Sequence, residues 1–215
     1  MLTGPPSVVT AQLSSPDFEI RPLSQRFCDP AVEARFRVDH LVQSLFSIRV
    51  FLFAGALLYT LFGILDDQVL TESRNAVWII RFGAVVPPLL LVFALTYSPL
   101  FIRYGQALLA AAMFVAGFGI IAMATVAEAP VNGLYYAGLI MVVGYCSTLL
   151  RMRWTMAAVV ATGLTALYQP VALWINPIPS SMVLSNNFFL GMSTAVGIFA
   201  NYAQELHIRR NYQYT

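Results

Sequence analysis

Long apolar runs separated by short polar connections fill the sequence after residue 45. Each run is about 17 to 23 residues long, the length that an α-helix needs to cross a bilayer. The connections contain acids, Pro, Gly and Asn, which favour turns. The pattern predicts an all-α polytopic membrane protein whose single membrane domain, over residues 46–206, is a bundle of six transmembrane helices. The predicted spans, of which the fourth is the shortest, are 46–65, 76–98, 104–126, 134–150, 155–175 and 187–206.

The segment before the first run is amphipathic. Over residues 31–45, Val38, Leu41, Val42 and Leu45 fall at helical spacing, and charged or polar side chains occupy most other positions. Two interpretations stay open: an amphipathic N-terminal pre-helix lying at the membrane surface, or the solvated start of the first span.

The two ends of the chain are more polar than the centre. Residues 1–30 mix Pro, Ser, Gly and charge without periodicity, which predicts a flexible cytoplasmic tail. The closing run NYAQELHIRRNY contains neither Gly nor Pro, so the sixth span is predicted to continue as a helical cytoplasmic extension over residues 207–215. As one helix, residues 187–212 would extend about 39 Å, more than the roughly 30 Å hydrocarbon core.

Prolines occur inside two predicted spans. Pro87 and Pro88 lie in the second span and Pro170 in the fifth. Each proline removes a backbone donor and crowds the preceding turn. We therefore expect bends at these places, with the helix continuing beyond them.

The amino-acid composition is typical of a protein most of which is embedded in a membrane. Hydrophobic residues make up 59% of the sequence and charged residues only 10%, whereas an ordinary soluble domain has about 25% charged residues. A water-soluble fold of this size could not hide so much apolar surface. Membrane lipids are therefore the expected surroundings.

Arginine positions predict the topology. All twelve basic residues are arginines, and they are scattered, so we expect no nucleic-acid partner. Cytoplasmic flanks of membrane helices are enriched in basic residues. The opposite connections contain only Arg74, together with four acids. Both termini are thus predicted to be cytoplasmic, on the side of nine arginines: Arg21, Arg26, Arg35, Arg37, Arg103, Arg151, Arg153, Arg209 and Arg210.

Two arginines fall inside predicted spans, where a cation is costly. Arg49 lies near the cytoplasmic end of the first span, and its expected partner is Glu205 at the same end of the sixth. Arg81 lies toward the outer end of the second span, at the level of Asp66 and Asp67. Each could form a polar pair whose breakage reports a ligand. The alternative is that each side chain extends to the interface.

The usual signs of catalysis are missing. The sequence has no HExxH, GxxxxGKS/T, GxSxG or CxxC motif. Its two histidines, His40 and His207, fall at the predicted cytoplasmic edge and do not face each other in mid-membrane, as a b-type haem would require. We expect no cofactor, no metal and no enzymatic activity from this chain.

Three stretches resemble the six-transmembrane N-terminal membrane domain of bacterial nucleotide cyclases, chiefly class III adenylate cyclases and some diguanylate cyclases. They are IIRFGAVVPPLL (79–90), LYYAGLIMVVGYCSTLLRMRW (134–154) and NNFFLGMSTAVGIFANYAQELHIRRNY (186–212). The resemblance covers residues 31–212. Its matched positions are Arg49, Asp66, Arg81, Tyr135, Tyr136, Arg151, Arg153, Asn187, Phe188, Tyr202, Glu205, Arg209 and Arg210.

The resemblance implies a sensor and anchor domain in the bacterial cytoplasmic (inner) membrane. In that family the sixth span continues into a catalytic domain that works as a dimer. This sequence stops at Thr215 and lacks the metal-binding aspartates or GGDEF-type loop of such a domain. Either the sequence is a truncated membrane domain or the module stands alone. The expected function is regulation of a cyclase output domain that is missing from this sequence.

The expected partners depend on which of three functions the protein has. A sensor would form a homodimer through its sixth helix and bind an unidentified small ligand or membrane protein. A second possibility is an accessory structural subunit of a larger membrane complex. A transporter ranks third, since inspection finds no internal repeat or polar mid-membrane site.

Overall fold

A computed structural model describes residues 20, 21 and 24–212, and within them the fold is helical with no strand. Five of the helices are long and apolar enough to cross a membrane. The six helices, numbered in chain order, are α1 Pro30–Val69, α2 Arg74–Leu95, α3 Pro99–Val126, α4 Tyr136–Thr148, α5 Trp154–Ile175 and α6 Ser180–Tyr212.

Helix α4 is the exception in length. It has 13 residues, about 20 Å, against a hydrocarbon core of roughly 30 Å. A 3₁₀ turn, Val131–Leu134, comes just before it. The fourth helix is the shortest, as predicted, but among the described residues five helices and not six are long enough to cross a membrane.

Helix α1 is one element of 40 residues. The carboxylate of Asp29 accepts a hydrogen bond from the Ala31 amide at 2.7 Å, and Pro30 occupies the first helical turn. Both features favour a helix start. Residues 31–45 are therefore the first part of α1, with no break that would define a separate pre-helix.

Residues 24–29 pack against the helices. Phe27 is buried, and the Gln25 side-chain amide donates to the backbone carbonyl of Tyr202 on α6 at 2.9 Å. For these residues the predicted flexible tail is wrong, because a buried aromatic ring and a long-range hydrogen bond fix them. Most of the rest of that tail lies outside the described residues.

The helices continue through their prolines, as predicted. In α2 a π-helical segment, Ile79–Val85, leads into Pro87 and Pro88. The wider turns accommodate rings that would otherwise crowd the carbonyls four residues earlier. In α5 a second π-helical segment, Val171–Ile175, follows Pro170.

Helix α3 lies at the centre of the bundle. More than half of its most apolar window is buried, against less than a third for α1 and α6. Helix α1 packs on α2 and α3, while α4 packs on α3, α5 and α6. Helices α1 and α4 thus lie on neighbouring sides of α3.

The two ends of the bundle differ. The start of α1 and the end of α6 meet at one end, which we name the terminal end; the other is the distal end. At the distal end Glu128 links two connections, accepting hydrogen bonds from the backbone amides of Thr71 and Glu72. These hydrogen bonds lower the pKa of the Glu128 carboxyl.

Candidate functional site

A slot lies between α1 and α4. Its volume is about 310 Å³, at the lower end of the range of small-molecule sites. Side chains of both helices form its walls, and Met113, Ala116 and Ile120 of α3 form its floor. Nearly all of its lining is apolar, so the slot suits a hydrocarbon-like ligand.

Tyr135, which immediately precedes α4, and Tyr145 of α4 hold the slot closed at its ends. The Tyr135 hydroxyl donates to Asp66 Oδ1 at 3.2 Å, and the Tyr145 hydroxyl donates to the Phe51 carbonyl at 2.9 Å. Phe51 and Asp66 lie 15 residues apart on α1, which is about 22 Å along a helix. The slot is therefore long and narrow, with a polar contact at each end.

The distal end of the slot contains a buried ion pair. Arg81 Nε lies 2.7 Å from Asp66 Oδ2, and Arg81 Nη1 donates to the Tyr59 carbonyl at 2.9 Å. Both charged residues are 4% exposed. The predicted pairing of Arg81 with an acid near the end of α1 is thus confirmed, with Asp66 as the partner.

The local fold explains how this pair forms. Asp66 is in the last turn of α1, and Arg81 is in the π-helical segment of α2. Widened turns of this kind are common at functional sites because they redirect side chains. The guanidinium of Arg81 also lies over the Tyr59 ring at 5.0 Å, which adds a favourable cation–π contact.

The slot opens on the outer surface of the bundle. Among its lining residues, Leu65, Leu134 and Met141 are 52%, 55% and 42% exposed. Leu65 belongs to α1, whose apolar segment has membrane-spanning length, so this side of the opening faces lipid. A ligand can enter sideways from the bilayer, with an apolar body along the slot and a polar group near Arg81 and Asp66.

Helix α4 also forms a tight contact with α6 on its other side. A Cβ atom added at Gly197 would lie 2.8 Å from Ser147 Oγ, so the helices approach closely. The Asn201 amide donates to the Ser147 carbonyl at 2.7 Å. One face of α4 therefore lines the slot, while another face packs closely against α6 and forms a hydrogen bond with it.

A second charged cluster lies at the terminal end. Arg209 of α6 is 0% exposed, and its Nη1 lies 2.6 Å from Glu33 Oε2 of α1. Its Nε donates to Glu205, four residues earlier on α6, at 2.9 Å. The guanidinium is 4.5 Å from the centre of the Phe36 ring. This cluster joins the end of α6 to the start of α1.

Arg49 does not contact Glu205, and that prediction is wrong. Its Nη2 donates to the Thr96 carbonyl at 2.8 Å, and its guanidinium lies 4.0 Å from the centre of the Tyr97 ring. The physical reason is that Thr96 ends α2, where backbone carbonyls lack partners in the helix and attract a cation. Glu205 is instead bound to Arg209.

Asp67 forms a separate pair. It accepts from Arg74 at 2.9 Å, and both side chains are well exposed. Asp67 therefore does not contribute to the slot.

The other predicted site residues lie outside the slot. Tyr136 is half-buried against the core, and Asn187 accepts from Gln169 at 2.8 Å. The Tyr202 ring packs edge-on against Trp154 at 5.5 Å. Three arginines complete the set at the terminal end: Arg151 and Arg153 in the connection between α4 and α5, and exposed Arg210 on α6.

Several residues of the site gave no signal in the sequence. Tyr145 and Ser147 lie in an apolar run, and their roles depend on contacts with distant helices. Glu33 looked like one charge among several. The Asp29-Pro30 pair was a usable signal, since it is typical of a helix start and would have placed Glu33 inside α1.

No protein-family model, no curated protein and no solved structure matches this sequence.

Proposed function

We propose that this chain is a membrane sensor and anchor domain that binds an amphipathic, lipid-like ligand in the slot. The bound ligand displaces α4, and this displacement is transmitted to α6. Three features support it: the apolar lining, the sideways opening, and a polar contact at each end of the slot. A ligand with an apolar chain and one polar group matches this arrangement.

The proposed setting is the bacterial cytoplasmic membrane, with both termini in the cytoplasm. The arginine bias supports this orientation, because basic residues concentrate in cytoplasmic flanks. An even number of crossings is then required. Helix α4, extended by its 3₁₀ turn, supplies the sixth crossing, and its shortness is accommodated by local thinning of the bilayer or by its neighbours.

The position of α4 is the single observation that carries the proposal. A ligand that widens the slot must move α4 away from α1, breaking the Tyr135 and Tyr145 hydrogen bonds. The close contact at Gly197 leaves no gap to absorb that movement, so the part of α6 around Gly197 must follow, while Arg209 keeps the end of α6 joined to Glu33 of α1. A ligand shifts such an equilibrium only by its difference in affinity for the two states.

The proposed output is a cytoplasmic nucleotide cyclase, as the family resemblance implies. Helix α6 extends for 33 residues, about 50 Å, so it is long enough to cross the membrane and project beyond it. Its exposed face includes Met192, Val196, Phe199 and Ala203. These residues are spaced by three or four, the pattern with which two helices pair in a dimer.

The test compares two substitutions of alanine by phenylalanine. Ala137→Phe fills the slot from α4, whereas the control Ala54→Phe adds the same bulk to an exposed position on α1 that does not line the slot. Native mass spectrometry of purified protein should show a bound lipid-like molecule in the parent and in Ala54→Phe. It should be lost from Ala137→Phe.

Coupling to α6 is measured in the same variants. Spin labels at positions 35 and 203, both exposed at the terminal end, report the separation of α1 and α6. The distance distribution should change in Ala137→Phe and remain unchanged in Ala54→Phe. If both variants match the parent in bound molecule and in distance, the sensor proposal fails and an accessory subunit becomes the better account.

A further inference from the structure

A second cavity, at the terminal end, is rich in arginine. Its volume is about 590 Å³. Five different segments contribute cationic side chains to it: the N-terminal segment, α1, α3, the connection between α4 and α5, and α6. These side chains are Arg26, Arg37, Arg103, Arg151, Arg153 and Arg209.

Among the described residues, the positive charge that lines this cavity exceeds the negative charge. Glu205 lines it, but its oxygens are engaged by Arg209 and by the backbone amide of Trp154. The nearby Glu33 is bound by Arg209 and Arg37. Within the described part of the chain, no carboxylate forms an ion pair with the remaining four arginines, Arg26, Arg103, Arg151 and Arg153.

The arginine-bearing connection is held rigidly. The side chain of Gln106 on α3 accepts from the Arg153 amide at 2.9 Å and donates to the Arg151 carbonyl at 3.3 Å. Arg151 has φ 54°, a left-handed conformation that is unfavourable for a residue with a Cβ. Such strain is kept at sites where the surroundings fix the backbone.

Arg153 has an unmet hydrogen-bonding group. Its Nε is shielded from solvent and has no hydrogen-bond partner among the described residues. Burial lowers the pKa of this guanidinium; Glu205 acts in the opposite direction, and the neighbouring charge of Arg37 lowers it further. A bound anion would supply both the missing acceptor and the missing negative charge.

The rim of the cavity is apolar. Val38, Ile102 and Tyr104 line it and are 47%, 48% and 46% exposed. An apolar rim around a cationic interior is the arrangement expected at the boundary between hydrocarbon and headgroups.

We propose that this cavity binds a phosphate-bearing anion through Arg153, Arg151 and Arg26. Planar guanidinium groups bind phosphate oxygens with paired hydrogen bonds. The phosphate belongs either to the headgroup of an anionic phospholipid or to a soluble phosphate compound. This binding does not depend on a ligand in the slot, which lies elsewhere in the bundle.

The experiment measures binding to the full chain, purified in an uncharged detergent, by the shift in its thermal midpoint. One arm adds phosphatidylglycerol, with phosphatidylcholine as the neutral lipid. The other arm adds sodium pyrophosphate at constant ionic strength. The variants are Arg153→Gln and Arg26→Gln, and the matched control is Arg210→Gln, which removes an exposed charge at the same end outside the cavity.

Phosphatidylglycerol or pyrophosphate should raise the midpoint of the parent and of Arg210→Gln, and phosphatidylcholine should not. Loss of a charged hydrogen bond should weaken the apparent affinity of Arg153→Gln about tenfold. Arg26 is exposed, so Arg26→Gln provides the test if Arg153→Gln fails to fold. A response to the lipid alone identifies a headgroup, and a response to pyrophosphate identifies a soluble source.

The proposal is overturned by equal affinities for the parent, Arg153→Gln and Arg26→Gln. An equal response to phosphatidylcholine, or no response to either anion, overturns it as well.

Discussion

The buried pair of Arg81 and Asp66 gives the sharpest prediction for stability. Replacing Arg81 with leucine keeps the volume near that of the original side chain but leaves Asp66, 4% exposed, without its cation. The Tyr135 hydroxyl, at 3.2 Å, is then the remaining side-chain donor to that carboxylate. We predict a marked loss of stability for Arg81→Leu.

The magnitude follows from the burial of the pair. Removing one partner of a buried ion pair costs about 3–5 kcal/mol, because the other charge is left uncompensated. Replacing both partners with apolar residues is often close to neutral. The double variant Arg81→Leu/Asp66→Leu should therefore recover most of the loss, apart from about 1 kcal/mol for the Tyr135 hydroxyl left without its acceptor.

The assay is thermal unfolding in detergent, for the parent, both single variants and the double variant. The loss in Arg81→Leu corresponds to about 6–20 °C in the midpoint. Arg74→Leu is the control, since Arg74 pairs with Asp67 at 2.9 Å at the same end but is exposed, and exposed pairs contribute about 0–1 kcal/mol. The reasoning is refuted if Arg81→Leu loses no more stability than Arg74→Leu.

Three further predictions concern the connections and α6. Hydrogen bonds lower the pKa of Glu128 from its ordinary value of 4.5. The ionised carboxylate therefore stabilises the fold fully above pH 4.5, and this stabilisation is lost as the pH falls through the lowered pKa. The difference in thermal midpoint between the parent and Glu128→Gln should vanish below that lowered pKa. In sealed cells of a background without native cysteines, an impermeant thiol reagent should label a cysteine at Asp67 and not one at Arg103; the reverse pattern contradicts the topology. Cysteines on the exposed side of α6, such as at Ala203, should cross-link between two chains, whereas one at buried Glu205 should not; equal cross-linking at both positions argues against a specific dimer.

Hydrophobic patterning predicted the helical architecture well because lipid imposes a simple rule on each crossing segment. Apolar runs of about 20 residues, bounded by polar turns, are hard to interpret in another way. The continuous helix after the last apolar run is confirmed over Ser180–Tyr212, since the sequence from Asn201 to Tyr212 contains neither Gly nor Pro. Residues 213–215 of the predicted extension lie outside the described residues. Helix α4 is shorter than predicted because its first residues form the 3₁₀ turn Val131–Leu134.

Charged pairs were predictable only where sequence distance was short. Arg81 and Asp66 lie on consecutive helices joined by a short connection, and Glu205 and Arg209 lie one turn apart. The contact between Arg209 and Glu33 spans 176 residues, and nothing local identifies it. Arg49 binds the Thr96 carbonyl at the end of α2 and not Glu205 for a related reason. The packing of α1 on α2 determines which hydrogen-bond acceptors lie within reach of the Arg49 side chain.

The strengths of the contacts around α1 show where the bundle can move. Both ends of α1 are fixed by buried ion pairs, at Glu33 and at Asp66, and breaking either costs several kcal/mol. Across the slot, by contrast, Tyr135 and Tyr145 each contribute a single hydroxyl hydrogen bond, about 0.5–1.5 kcal/mol net and somewhat more to the charged Asp66. A ligand that buries about 200 Å² of its own apolar surface gains roughly 5 kcal/mol, enough to offset both. Displacement of α4 against a fixed α1 is therefore the movement that costs least.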